Sequence, residues 1–164
     1  MRRRLGILYL VNDIYTGLNM LKRARVDGEL REGYVVEAKA KGHKIIMDLP
    51  PPLGKNLGPT PVDLMLASLI GCIGIVARYH AKNFGIEIRS LKVIVEAEYD
   101  TAGFEGKDVK AGMHRVEARV IVDSPNDINE LRKFFKFVEE HCPVGDTLAS
   151  NTPISLTIEK MKSK

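Results

Sequence analysis

The run Gly58-Pro59-Thr60-Pro61-Val62-Asp63-Leu64-Met65-Leu66-Ala67-Ser68-Leu69-Ile70-Gly71-Cys72 decides the reading of this chain. Thr60 suits an N-cap, Pro61 suits the first helical position, and Asp63 stands where a capping box needs its acidic partner. A helix is predicted from there to about Phe84, closed by Gly85 in the left-handed position that glycine favours. Apolar and small residues lie nearly all round it between Leu64 and Ala77. A helix apolar on every side is buried on every side. In a chain of 164 residues, which fits one domain, that points to enclosure by a sheet and by a second subunit.

Upstream, Arg25–Leu30, Tyr34–Ala40 and Lys44–Leu49 read as a three-stranded meander with turns at Gly33 and Gly42, ended by Pro50-Pro51-Pro52. Downstream, Ile88–Tyr99 and Arg115–Val122 read as strands joined by a charged connection, Thr101–Gly112. Ser124-Pro125-Asn126-Asp127 opens a second helix, with Ile128, Leu131, Phe134, Phe135 and Val138 on one stripe. Pro143 starts a short helical turn with Cys142 at its N-cap, and Thr152–Lys160 alternates at Ile154, Leu156 and Ile158 as a last strand. The order βββα–ββαβ is an α+β fold. No linker divides it, so residues 23–164 form one domain and residues 1–22 an N-terminal extension.

Composition narrows the function. Hydrophobic residues make up 45% and charged residues 28%, and the net charge of +4 is spread along the chain. With no Trp and few other aromatics, neither a nucleic-acid electrostatic footprint nor a base-stacking platform is expected. Met1-Arg2-Arg3-Arg4 and the apolar run Leu5–Val11 have the outline of a signal peptide, but the run stops at Asn12-Asp13 without a small-x-small cleavage pattern. The expected compartment is the cytoplasm. The apolar stretch Leu64–Ala77 is too short for a bilayer span, which needs roughly 20 residues, so no membrane partner is expected.

Two cysteines are too few for a disulfide scaffold or a four-cysteine zinc site. Cys72 lies mid-helix between Gly71 and Ile73, where a buried structural thiol is the commoner occupant. Gly71 and Gly74 weaken the helix and imply close approach of a partner helix or a ligand. Cys142, between His141 and Pro143 at a helix start, has two neighbours that favour thiolate, and reads equally as a reactive or a plain junction residue. Asp63 lies nine residues before Cys72, about 13 Å along the axis, so within one copy it caps the helix without touching the thiol. His43, His80, His114 and His141 form no metal-ligand motif, and no P-loop, nucleophile-elbow or dinucleotide fingerprint is present.

The proline-capped helix with its mid-helix Cys72, followed 70 positions later by Glu139-Glu140-His141-Cys142-Pro143-Val144, resembles the osmotically inducible protein C / organic hydroperoxide resistance (OsmC/Ohr) family. The resemblance covers about Arg23 to Lys160. It implies an intertwined homodimer, two antiparallel sheets enclosing two long central helices, with two cysteine-pair sites at the interface. It also implies thiol-dependent reduction of organic hydroperoxides. Cys72 would be the peroxidatic thiol, Cys142 the resolving one, and an external dithiol the reductant, with no metal or bound cofactor. Leu69, Ile73 and Val76 are the candidate walls of an apolar substrate pocket. Family peroxidases activate the cysteine with an Arg and a Glu near the helix start. Here Val62-Asp63 occupies that place, so Asp63 is the candidate stand-in. The loop Pro50–Pro59 has no Arg and only Lys55, while Arg23, Arg25 and Arg31 lie upstream. The competing expectation is an OsmC-like protein that binds a small hydrophobic ligand or senses redox state without turnover. An inert structural dimer is the third.

Overall fold

A computed structural model describes residues 21–160. The expected extension, residues 1–22, lies almost wholly outside them. The first sheet is an antiparallel meander of β1 (Asp27–Leu30), β2 (Val36–Ala40) and β3 (His43–Met47), with Val36 paired to both Leu30 and Met47. Gly33 and Gly42 take positive φ at its two turns, as the sequence predicts.

The chain then enters a braced loop. Asp48 is buried, and its carboxylate accepts the backbone N–H groups of Leu49 (2.8 Å), Lys55 (2.9 Å) and Leu57 (3.1 Å). Burial pushes its acidity up in pKa, but these three bonds outweigh that and hold the carboxyl below its ordinary range. A Cβ on Gly54 would stand 2.0 Å from Leu49 O, and one on Gly58 2.3 Å from Ile46 O, so both positions are glycine by contact. Nothing in the sequence pattern marked Asp48 for this role.

The loop delivers Thr60 to the start of helix α1 (Pro61–His80), and a 3₁₀ turn (Ala81–Phe84) extends the helix to Gly85 at φ 66°. The capping box is present. Thr60 Oγ1 accepts the Asp63 N–H, and the Asp63 carboxylate accepts the Thr60 N–H at 2.9 Å. By length and apolarity this helix could cross a bilayer. Its Leu69–Ile73–Ala77 stripe instead packs into its own chain's core.

The second sheet pairs β4 (Ser90–Tyr99) with β5 (Met113–Asp123), antiparallel, with Val93 opposite Val120 and Val95 opposite Ala118. A single helical turn, α2 (Thr101–Phe104), sits in the connection. Helix α3 (Ile128–Glu140) starts three residues later than Ser124-Pro125 predicts an N-cap. Asp127 and Glu130 form the stronger, reciprocal capping box there. The preceding Asn126 is occupied elsewhere: it accepts the Glu87 N–H and donates to Gly85 O, tying the end of the 3₁₀ turn to α3. Leu131, Phe134 and Val138 form the buried stripe of α3, with Phe135 half-buried, whereas Ile128 is exposed. Helix α4 (Pro143–Ala149) follows, with Cys142 as its N-cap.

Two expectations change. Thr152–Lys160 forms no ladder: Ile154, Leu156 and Ile158 are 94%, 86% and 86% exposed, and among the described residues no strand pairs with it. The alternation is present without a ladder partner among the described residues. Nor is α1 buried on every side. One stripe is covered by β4, α3 and α4, while Ile75 is 71% exposed and Met65, Ile70 and Tyr79 also face out. No substantial packing joins β1–β3 to the helices of their own chain.

Candidate active site

The thiol pair is assembled where α1 meets α4. Cys72 projects from the middle of α1 toward the N-terminal turn of α4, and Cys142 is the cap of that turn. Cys72 packs against the core cluster to which Cys142 belongs, close enough for Cys142 to raise its pKa, and both cysteines are free thiols. Seventy positions of sequence, two strands and a long helix therefore close on one contact.

Exposure differs between them. Cys142 is 1% exposed and belongs to the core with Leu69 and Ile73, whereas Cys72 is half-buried at its edge. Backbone N–H groups of α4 serve both sulfurs. Gly145 donates to Cys142 Sγ at 3.3 Å, and the Val144 N–H lowers the pKa of Cys72. Burial pushes the Cys72 thiol up in pKa, and the neighbouring Cys142 pushes it further, while the Val144 N–H opposes both. No Arg or Lys among the described residues acts on it.

The expected activating residues are placed away from this contact. Asp63 is exposed and committed to Thr60, whose hydroxyl and N–H hold its carboxyl below the ordinary range. Arg25 pairs with Asp27 at 2.8 Å. Arg31 spans Glu29 (2.6 Å) and Glu37 (3.8 Å), and Lys55 faces Glu32 at 3.9 Å. Arg25 precedes β1, Arg31 lies in the β1–β2 turn and Lys55 in the braced loop after β3. Of the proposed pocket walls, Leu69 and Ile73 are core residues and Val76 is half-buried against them. Among the described residues, no group of three or more His, Cys, Asp or Glu stands in metal-holding geometry.

Sequence reading missed a cluster beside the pair. The rings of His80 and His141 gather on Phe137, with centroids at 4.9 Å and 3.8 Å. Tyr79 meets His80 at 4.8 Å, and Phe84 meets Phe137 at 4.6 Å. Phe137 and His141 are four positions apart on one helix, and Tyr79, His80 and Phe84 follow one another at the end of α1 and its 3₁₀ extension, but nothing in the sequence joins the two groups.

Comparison with known proteins gives one consistent picture. The family model described as OsmC-like protein matches residues 54–157. The chain is similar to an OsmC-like protein of Mycoplasma pneumoniae, with TM-score 0.70 and 26% identity over 79% of this chain and 89% of that one. It is also similar in fold to an organic hydroperoxide resistance protein OsmC of Legionella pneumophila (TM-score 0.57, 17% identity, 81% and 93% covered). A third likeness is to the organic hydroperoxide resistance protein OhrB of Bacillus subtilis (TM-score 0.54, 20% identity, 80% and 94% covered). No curated protein matches the chain.

Proposed function

The chain belongs to the OsmC-like family, and from that premise we propose that it is a thiol-dependent peroxidase that reduces organic hydroperoxides. The Cys72 thiolate attacks the terminal peroxide oxygen, the O–O bond breaks, and the alkoxide leaves as an alcohol after taking a proton. Cys72 is then a sulfenic acid. The Cys142 sulfur attacks it, water leaves, and a Cys72–Cys142 disulfide forms. An external dithiol reduces that disulfide and is itself oxidised. The observation that carries the reading is the contact between a half-buried Cys72 and a sealed Cys142. The first is open to a substrate, while the second is withheld until a sulfenic acid stands beside it.

The working unit is a homodimer. Three features of the single chain support it: the outward apolar stripe of α1, the first sheet without a helix beneath it, and the unpaired alternation of residues 152–160. A second copy covers all three. It also supplies what Cys72 lacks, since the pKa-raising surroundings of the thiol need an opposing positive charge from outside the described chain. Arg31 in the β1–β2 turn, Arg25 just before β1 and Lys55 in the braced loop after β3 belong to the part of the chain that a partner's helix would adjoin. A reduced pair poised in this way suits the cytoplasm.

The test is peptide mapping after one equivalent of cumene hydroperoxide, with peroxide consumption followed in the presence of a dithiol. A Cys72–Cys142 crosslink, and loss of turnover in Cys72→Ser, are expected. Undiminished turnover in Cys72→Ser would sink the reading. A co-purified apolar ligand, with no peroxide consumed, would favour the ligand-binding alternative.

A further inference from the structure

We propose that His80 and His141 form a two-imidazole site for a first-row divalent cation of the nickel, copper and zinc class, clipping the end of α1 to the end of α3. His80 is the last residue of α1, and His141 caps α3 immediately before Cys142. Their ring centroids are 6.4 Å apart.

Three observations carry the site. The first is a preset tautomer. His141 Nδ1 lies 2.8 Å from the carbonyl oxygen of Phe137, and a carbonyl can only accept, so Nδ1 carries the proton. The Nε2 lone pair is left free. A backbone carbonyl holding the second nitrogen is the usual outer contact of a metal-bound histidine.

The second is ring placement. His141 stacks on Phe137 at an interplanar angle of 22°, and His80 meets the same ring edge-on at 76°. Both imidazoles are therefore oriented by one aromatic wall. Neither nitrogen of His80 has a hydrogen-bond partner among the described residues, and neither is sealed from solvent.

The third is distance. With metal–nitrogen bonds of about 2.0–2.1 Å, two imidazoles on one ion have centroids about 5 to 6.5 Å apart, depending on the angle between them. The observed separation is the widest in that range, that of two opposed rings with the ion between them, so His141 keeps its stacking on Phe137. Water completes the coordination. Imidazole ligands select copper, nickel and zinc over the oxygen-seeking magnesium and calcium. The site is distinct from the thiol pair, because Cys142 turns its sulfur inward to Gly145 and Cys72.

The experiment titrates Ni²⁺ into the reduced full-length protein, following the imidazole C–H resonances by NMR and affinity by calorimetry. Nickel is chosen because it broadens nearby protons without oxidising thiols. The resonances of His80 and His141 should broaden before those of His43 and His114. His80→Gln and His141→Gln should each weaken binding by about tenfold or more. Unchanged affinity in either variant overturns the proposal. So does a thiolate-to-nickel charge-transfer band at the first equivalent with the two imidazoles untouched, which assigns the metal to Cys72 and Cys142. The wild-type resonances decide the matter even if a variant folds poorly.

Discussion

The Cys142 sulfur accepts the Gly145 N–H at 3.3 Å, while the N–H one residue earlier, from Val144, favours the Cys72 thiolate. One turn of α4 thus orients both sulfurs. If Cys142 resolves the oxidised Cys72, then Cys142→Ser keeps the fold but cannot close the disulfide. One equivalent of hydroperoxide should leave a Cys72 sulfenic acid, and excess should drive it to sulfinic acid. Intact-protein mass spectrometry reads the added oxygens, and a disulfide-sized mass change in that variant counts against the pairing.

The acidity of Cys72 has a thermodynamic counterpart. Burial first, and then Cys142, raise its pKa in the folded chain, so the fold prefers the protonated thiol. The associated stability is fully present below the unfolded thiol's pKa and is lost as pH rises through the folded value. Cys72→Ser should flatten the alkaline limb of a denaturation profile taken on the monomer. A second copy that brings a cation should move the onset of thiol alkylation to lower pH, so labelling rate against pH at high and low protein concentration should differ.

The open stripe of α1 is tested by filling it. Gly71 has nothing within 4 Å of where a Cβ would stand. Gly71→Leu should therefore fold as a single chain, with a helix gain of about 0.5–1 kcal/mol, and fail to dimerise. Leu156→Asp, on the unpaired segment, should likewise shift the mass seen by light scattering toward the monomer. If both variants remain dimeric, these surfaces are not the interface.

Helix capping gives an acid-side prediction. Thr60→Ala removes the side-chain acceptor at the start of α1 and should cost about 1 kcal/mol. Thr60 hydrogen bonds depress the Asp63 pKa. Its contribution is present above the unfolded carboxyl value, about 3.9, and is lost as pH falls through the lower folded value. Urea titrations between pH 3 and 7 should show that loss in the native chain and not in Asp63→Asn.

Local chemistry was what the sequence displayed most clearly. The Thr60–Asp63 box, the prolines at the starts of α1 and α4, the period-two strands and the Leu131–Phe134–Val138 stripe all follow from short-range rules. What required three dimensions was different in kind. Ser124-Pro125 resembled a helix start, but the Asp127–Glu130 pair won by satisfying two backbone donors. The alternation at Ile154, Leu156 and Ile158 was legible, while the place it pairs was not. The Cys72–Cys142 relationship was anticipated only through family resemblance, and spacing alone left both thiols open to inert roles. Asp48 and the His80–Phe137 contact carried no spacing signal, because their partners are backbone groups or a ring from a distant element.

The braced loop after β3 changes how tolerance to substitution should be mapped on this protein. Much of the segment from Pro50 to Pro59 faces solvent, and solvent-facing loops ordinarily accept replacement. Here Gly54 and Gly58 meet backbone oxygens closer than any Cβ could approach, and the Asp48 carboxylate is already divided among three donors. In a saturation scan this surface loop should behave like interior, with Gly54, Gly58 and Asp48 as intolerant as Phe134. Exposure alone would assign its mutational constraint to the wrong class.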